Sequence, residues 1–442
     1  MSMPLHRFVP FVCALLAASA LPARADEAPS VEDWSLHGQA TFTDQYHPSF
    51  TSPFQGANSL GPRASAKETF DATLFAGARL WRGAEIYVNP EIDQGFGLSN
   101  TLGLAGFSSG EAYKVGKSHP YFRLQRAFMR QTFDLGGPEQ TLAADANQLA
   151  GTRTQNNLVL TLGKFAVTDV FDGNGYAHDP RGDFLNWSII DAGAFDYAAD
   201  AWGYSYGAAS ELNLGHWSLR AGLFNLSKVP NSEKLESDFH QHESVLEIEH
   251  RHTLAGQPGK VRVLWFDNHG KMGSYADALA LATTTGSPPD TSLVRRWASR
   301  TGVALNVEQQ IDDSLGVFIR ASANDGSKEA FEFTEINRSL AAGVALKGSR
   351  WGRAKDTLGA AVEVSGISAA ARAYLAAGGM GILIGDGQLP RYGCERIGEA
   401  YYDASLSDHL GLTMDLQHVD NPAYDAARGP VWAMAVRVHA AF

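Results

Sequence analysis

The chain has 442 residues, 36 Lys and Arg against 48 Asp and Glu, a formal net charge of −12 and 44% hydrophobic residues. The acidic surplus argues against nucleic acid as a partner, because a binder of phosphate backbones needs a clustered basic surface. Beyond the first residues no apolar run approaches the length of a helical membrane span, so a closed β-barrel is the remaining way for this chain to live in a bilayer.

Residues 1–25 read as a cleaved secretory signal peptide: His6 and Arg7 form a short basic start, residues 8–21 an apolar run, and Ala23-Arg24-Ala25 a small-residue cleavage site. Residues 26–442 are then expected to form a single domain with 34 basic and 48 acidic residues. Cys13 leaves with the signal, and Cys394 remains as the one cysteine. An intramolecular disulfide, a cysteine-based zinc site and a CxxC redox motif are all excluded for the mature chain.

The first mature segment, residues 34–43, alternates Trp34, Leu36, Gly38, Ala40 and Phe42 with Ser35, His37, Gln39, Thr41 and Thr43, so one face is apolar and the other polar. Segments of about the 9–11 residues that a tilted barrel strand needs follow at 70–80, 84–92, 122–133, 157–165, 202–212 and 217–224. Leu246 and Ile248 then oppose Glu247 and Glu249; Val261, Val263 and Trp265 oppose Arg262; Val303, Leu305 and Val307 oppose Asn306 and Glu308; Val317 and Ile319 oppose Arg320. Residues 341–347, 358–364, 398–404 and 410–417 continue the series. The last segment places Trp432, Met434, Val436, Val438, Ala440 and Phe442 on one face and Arg437 and His439 on the other. The total is sixteen strands, with eighteen as the alternative count, and an even number is what a single-chain bacterial barrel requires.

The links fall into two classes. Those at 81–83, 214–215, 310–313 and 405–408 are short, whereas those near 44–68, 95–121, 166–201, 267–295 and 365–395 are long. Short periplasmic turns and long outer loops give this pattern. Residues 368–377 have the composition of a short helix within the last long loop. The expected fold is therefore all-β, a closed antiparallel transmembrane barrel in the outer membrane. Phe442 is expected to serve as its assembly signal.

Inward-facing charges of both signs cannot be buried in a dry core at tolerable cost, so the sequence predicts that they line a water-filled pore. The expected pore-lining and constriction residues are Glu85, Glu91, Asp93, Arg126, Arg130, Arg220, Glu247, Glu249, Arg262, Arg300, Arg320 and Arg437, with Glu91, Asp93, Arg126 and Arg130 at the narrowest point. Opposed basic and acidic walls set up a transverse field that favours polar solutes. Arg forks and carboxylates can bond paired sugar hydroxyls while aromatic rings offer a stacking face.

Residues 169–200 are dense in Asp and are expected to fold inward and narrow the pore. Hard oxygen ligands suit a divalent cation such as Ca²⁺, Mn²⁺ or Mg²⁺, with Asp169, Asp172, His178 and Asp179 as candidate ligands. Their spacing matches no calcium loop, and Asp and Asn are ordinary turn residues. No cofactor is expected beyond such a weakly bound cation. GxSxG, HExxH and a phosphate-cradling glycine loop in strand-turn-helix context are missing from the sequence, so an enzyme is not expected.

Several longer strings carry a resemblance. They are residues 80–91 (LWRGAEIYVNPE), Gly163-Lys164-Phe165 with Asp169-Val170-Phe171-Asp172, Tyr176-Ala177-His178-Asp179-Pro180-Arg181 with Phe184-Leu185-Asn186-Trp187, residues 374–379 with 383–387, and the tail from Asn421-Pro422-Ala423-Tyr424 to Phe442. Through them the chain resembles the carbohydrate-selective porins of the outer membrane, the OprB family. The resemblance implies a sixteen-stranded barrel through which small solutes, typically monosaccharides, diffuse without energy input. The Asp-Pro-Arg and Phe-Leu-Asn-Trp segments also resemble a subset linked to manganese uptake, which makes a divalent-metal porin the alternative. A barrel enzyme or sugar-binding β-protein is the alternative of another class. Implied partners are outer-membrane lipid, a sugar or Mn²⁺ as solute, and the outer-membrane assembly machinery.

Overall fold

In the computed structural model, residues 31–112 and 115–442 are described; the predicted signal peptide lies outside the described residues. Sixteen strands follow one another around a closed antiparallel barrel. They are β1 Trp34–His47, β2 Ser65–Trp81, β3 Ala84–Gly95, β4 Lys117–Leu142, β5 Gly151–Phe165, β6 Ser205–Leu214, β7 Trp217–Asn225 and β8 His242–Leu254. The second half continues with β9 Gln257–Met272, β10 Arg296–Gln310, β11 Leu315–Asn324, β12 Arg338–Lys347, β13 Thr357–Gly366, β14 Glu395–Ser407, β15 Leu410–Asp420 and β16 Val431–Ala441. Each strand pairs with its sequence neighbours, and β1 pairs with β16, from Gln39 opposite Ala441 to Tyr46 opposite Met434. Closure leaves no unpaired edge, the condition for backbone in hydrocarbon.

Alternation sorts the two faces as the sequence predicts. Leu36, Ile86, Val88, Val263, Val303, Trp432, Met434 and Val436 face outward and are exposed, whereas Gln39, Thr41, Glu91, Arg262, Arg320 and Arg437 face inward and are buried. Exposed aromatic rings stand at both ends of the outward face: Trp34, Trp81, Trp217 and Trp351 at the short-turn end, Tyr46, Tyr206, Trp297 and Trp432 at the other. Aromatic girdles of this kind sit at the two membrane interfaces.

Two features depart from the sequence reading. β4 and β5 run on past the barrel wall as a hairpin at the short-turn end, and its tip, residues 143–150, folds back under the lumen. Gly136 and Gly137, at φ of 93° and 90°, sit where the ladder changes register, and a left-handed bend of this kind breaks the period of two that sequence reasoning follows. Arg130 donates to the Asn147 carbonyl at 2.8 Å, and the Leu149 amide donates to the Tyr87 hydroxyl at 3.1 Å, which fastens the tip. The second departure is a helix in the link between β9 and β10. In chain order the helices are α1 Trp187–Ile190, α2 Tyr275–Thr285 and α3 Ala369–Ala376. Ser274 caps α2 and Gly286 ends it in the left-handed conformation, while Ser368 caps α3, the helix the sequence predicts.

Candidate functional site

The link between β5 and β6 does not stay at the rim. It descends into the lumen, and the inward charges of the wall hold it there by capping its backbone. Arg320 on β11 donates to the carbonyls of Ala177 at 2.7 Å, Ile189 at 2.9 Å and Asp172 at 2.9 Å, and pairs with the Asp172 carboxylate at 3.2 Å. From β16, Arg437 donates to the carbonyls of Pro180 and Asp183. Glu399 on β14 accepts the amides of Leu185 and Asn186, Glu247 on β8 accepts that of Asp172 at 2.8 Å, and Glu308 on β10 accepts that of Gly175 at 2.8 Å. Arg300 on β10 pairs with Asp196, whose carboxylate also accepts the amides of residues 331–334. A loop carried into a barrel must satisfy its own backbone groups, and the wall charges supply the partners.

This geometry corrects the expectation of open water for eight residues: Glu91, Asp93, Glu247, Glu249 and Arg262 are at most 5% exposed, as are three arginines. Alternation predicts that Arg300, Arg320 and Arg437 line open water, yet they are at most 1% exposed, because the inward segment lies against them and takes up donors of each. Other predicted residues are placed as follows. Arg220 pairs with Glu211, Glu247 and Glu249, and Arg262 with Glu249 and Glu308, forming a continuous ladder along β6 to β10. Glu85 accepts the Tyr87 hydroxyl at 2.7 Å and pairs with Arg79 near the hairpin tip, and Arg130 is turned to that same tip. Glu91 and Asp93 are buried in the wall, both within reach of the Gln125 amide. Of the four residues placed by sequence at the narrowest point, only Arg126 lines the inner chamber described below.

The acidic stretch does not gather into a metal centre. Asp169 is held by Arg126 through two bonds of 2.7 and 2.6 Å, Asp172 by Arg320 and the Asn306 amide, and His178 stands 3.9 Å from Asp191. Asp179 accepts the Arg181 amide. Among the described residues no group of three or more His, Cys, Asp or Glu side chains is arranged to hold a metal ion. Asp169 and Asp172 are each committed to a different guanidinium.

What the inward segment leaves open is a pair of adjoining chambers. The outer one, about 150 Å³, is lined by Phe107, Trp187, Tyr197, Trp202 and Phe333 together with residues of the long links. The inner one, about 290 Å³, shares Trp187, Tyr197 and Trp202 with it and adds Glu111, Arg126, Asp169, His178, Asp179, Arg181, Asp191 and Tyr204. Arg181 is the centre of its charge: the guanidinium reaches Asp71 at 3.0 Å, Glu91 at 3.4 Å and Glu111 at 3.5 Å. Burial works against ionisation of Asp179, but the Arg181 charge and amide outweigh it and hold the carboxyl below its usual range. For Asp191 burial prevails over the neighbouring His178 and pushes the carboxyl up to about 6. The lining mixes rings with charged groups, Arg126 standing over the Tyr204 ring at 4.9 Å and Arg123 over that of Trp202 at 3.4 Å, and rings together with charged hydrogen-bonding groups are what a polyhydroxylated ring with an apolar C–H face requires.

Arg181, Glu111, Asp191, Trp187, Tyr197, Trp202 and Tyr204 are missing from the sequence-predicted set. Trp202 and Tyr204 fall in the segment 202–212 expected to be strand, which begins only at Ser205; the others lie well inside links, where no period marks which side chain faces the lumen, and the one available signal was the density of charge in residues 169–200.

The fold agrees with comparison to known proteins. Residues 57–442 match the family model described as carbohydrate-selective porin, OprB family. The chain belongs to the OprB family. This porin is an outer-membrane β-barrel that passes carbohydrates. Its fold is similar to that of Pseudomonas putida OprB in the high-pH structure, with a TM-score of 0.69 at 14% identity over 93% of this chain and 94% of that one. Likeness to the low-pH structure of the same protein has a TM-score of 0.51 at 12% identity over 93% of each chain. No curated protein matches this porin by sequence.

Proposed function

We propose that this porin passes monosaccharide-sized carbohydrates singly through the inner chamber, with no cofactor and no energy input. The observation that carries the reading is the chamber itself: about 290 Å³ of space lined by aromatic rings together with two guanidiniums and several carboxylates. That volume lies just below the roughly 300–1,000 Å³ of pockets for drug-sized ligands, which suits one sugar ring. Asp179 and Asp191 can accept from the sugar's hydroxyls, while Arg126 and Arg181 are already paired with carboxylates of the lining and wall. Trp202 and Tyr204 each carry a guanidinium over one ring face, Arg123 and Arg126 respectively, and the remaining ring surface is what the C–H side of a sugar can meet. The paired charges of β6 to β10, among them Arg220, Glu247, Glu249 and Arg262, provide the field of the lower lumen. Phe442 takes the role of assembly signal.

The test is block of ion current through the purified porin in planar bilayers. Glucose should interrupt the current in a saturable manner, and Trp202→Ala should weaken the block. A conducting channel whose current is indifferent to every monosaccharide added would overturn the reading.

A further inference from the structure

The inner chamber is richer in acceptors than in donors. Of its two guanidiniums, Arg126 is consumed by Asp169 through two hydrogen bonds, and Arg181 is shared among Asp71, Glu91 and Glu111. Its carboxylates are less well matched. Asp179 has no ion pair within 4 Å among the described residues; it accepts the Arg181 backbone amide, and the positive charges that act on it are the Arg181 guanidinium and then the imidazoles of His439 and His178. Asp191 is 95% buried, and its Oδ2 accepts the Tyr197 hydroxyl at 3.1 Å. Its Oδ1 makes no hydrogen bond among the described residues: the nearest basic atom is His178 Nδ1 at 3.9 Å, too far for one. His178 Nδ1 is itself without a hydrogen-bond partner. Two carboxylates therefore face the same space with acceptor capacity that the protein does not fill.

We propose that the inner chamber discriminates among monosaccharides by charge, favouring those that carry a protonated amine over neutral sugars and over sugar acids. This rests on the reading of the chamber as the sugar's path. An ammonium brings three N–H donors and a positive charge to Asp179 and the open oxygen of Asp191, while its sugar ring keeps the contacts with Trp202 and Tyr204 that a neutral sugar makes. A sugar carboxylate meets a surplus of like charge, and the two guanidiniums that line the chamber already stand against carboxylates.

The experiment uses wild-type porin in planar bilayers near neutral pH, with current block titrated by glucose, glucosamine, N-acetylglucosamine and glucuronate. Glucosamine should block at roughly tenfold lower concentration than glucose, the scale of one additional charge-assisted contact. N-acetylglucosamine, similar in shape but neutral, should not share the gain, and glucuronate should block least. In the double variant Asp179→Asn/Asp191→Asn the ratio between glucose and glucosamine should fall to about one. Equal block by glucose and glucosamine in the wild type, or a ratio that survives in the double variant, overturns the proposal. Absence of block by all four sugars instead overturns the sugar path on which it rests. The wild-type panel decides the matter even where the double variant does not assemble.

Discussion

Arg320 and Asp172 are bound across the barrel, the guanidinium of one lying 3.2 Å from the carboxylate of the other, and both side chains are 1% exposed. The same guanidinium also closes on the carbonyls of Ala177 and Ile189, so one wall residue fixes both limbs of the inward segment. Removing one partner of a buried pair leaves the other charged and unsatisfied, at a cost of about 3–5 kcal/mol. Arg320→Met should therefore loosen the segment without unpicking the barrel, whose strand ladder does not use this side chain. Single-channel conductance should rise and sugar block weaken, while the anomalous migration of the unheated barrel on electrophoresis persists.

Phe442 lies flat on Gly38 across the seam between β1 and β16. A Cβ on Gly38 would come within 2.4 Å of the ring, and the two residues exchange backbone hydrogen bonds of 2.8 and 2.9 Å. Gly38→Val should displace the ring and Phe442→Ala should remove it. Because the ring is 40% exposed to the lipid side, we expect a loss of about 1–2 kcal/mol rather than the 3–5 of a core phenylalanine, read as a lower urea midpoint for folding into vesicles.

Val436 and Arg437 are adjacent and face opposite worlds. Val436 is exposed on the outward face, and Arg437 is completely buried against the inward segment. Val436→Lys should destabilise the inserted barrel by about 2–4 kcal/mol if it lies near the bilayer midplane. Arg437→Glu should leave insertion intact but free the carbonyls of Pro180 and Asp183, which shows as altered conductance rather than as lost yield.

The carboxyl of Asp191, pushed up to about 6 by burial, gives the chamber a pH dependence. Above that value the group is ionised and attracts cations; below it the charge is lost, so cation conductance should fall as the pH drops from about 7.5 to about 5. Asp179, held below the usual carboxylate range, keeps its charge across this window. The linkage has the opposite sign for stability: a carboxyl raised in the folded state favours folding below its unfolded pKa, and that contribution is lost as pH rises through about 6. Asp191→Asn should remove this step in the conductance profile.

The hairpin tip at 143–150 reaches Tyr87, Asn89 and Arg130 from below. Tyr87→Phe deletes the hydroxyl that accepts the Leu149 amide and donates to Glu85, a loss of about 1–3 kcal/mol for the group left unpaired. Proteolysis within residues 143–150 should accelerate, with little change in the barrel itself.

Much of the architecture was legible because lipid imposes a period. Trp34 to Thr43 and Trp432 to Phe442 alternate since one side of each strand meets hydrocarbon and the other does not, and this local rule gave all sixteen strands and both link classes. It failed where glycine bends the chain, at Gly136 and Gly137, and where Ser274 and Gly286 delimit a helix inside a link. It could not reach the chamber. Arg437 was assigned to the inner face correctly, but that face is not open water at its position.

The sequence by itself therefore determined the outward and inward faces, a count of sixteen strands with eighteen as the alternative, and the segment rich enough in charge to enter the lumen, because each is a property of neighbouring residues. Only the tertiary structure decided which inward charges remain available to a solute. Arg437 meets Pro180 and Asp183, Arg320 meets Asp172, and Arg181 meets Asp71 across more than a hundred residues of chain. Whether a guanidinium lines water or caps a carbonyl depends on those distant partners, and no local pattern encodes them.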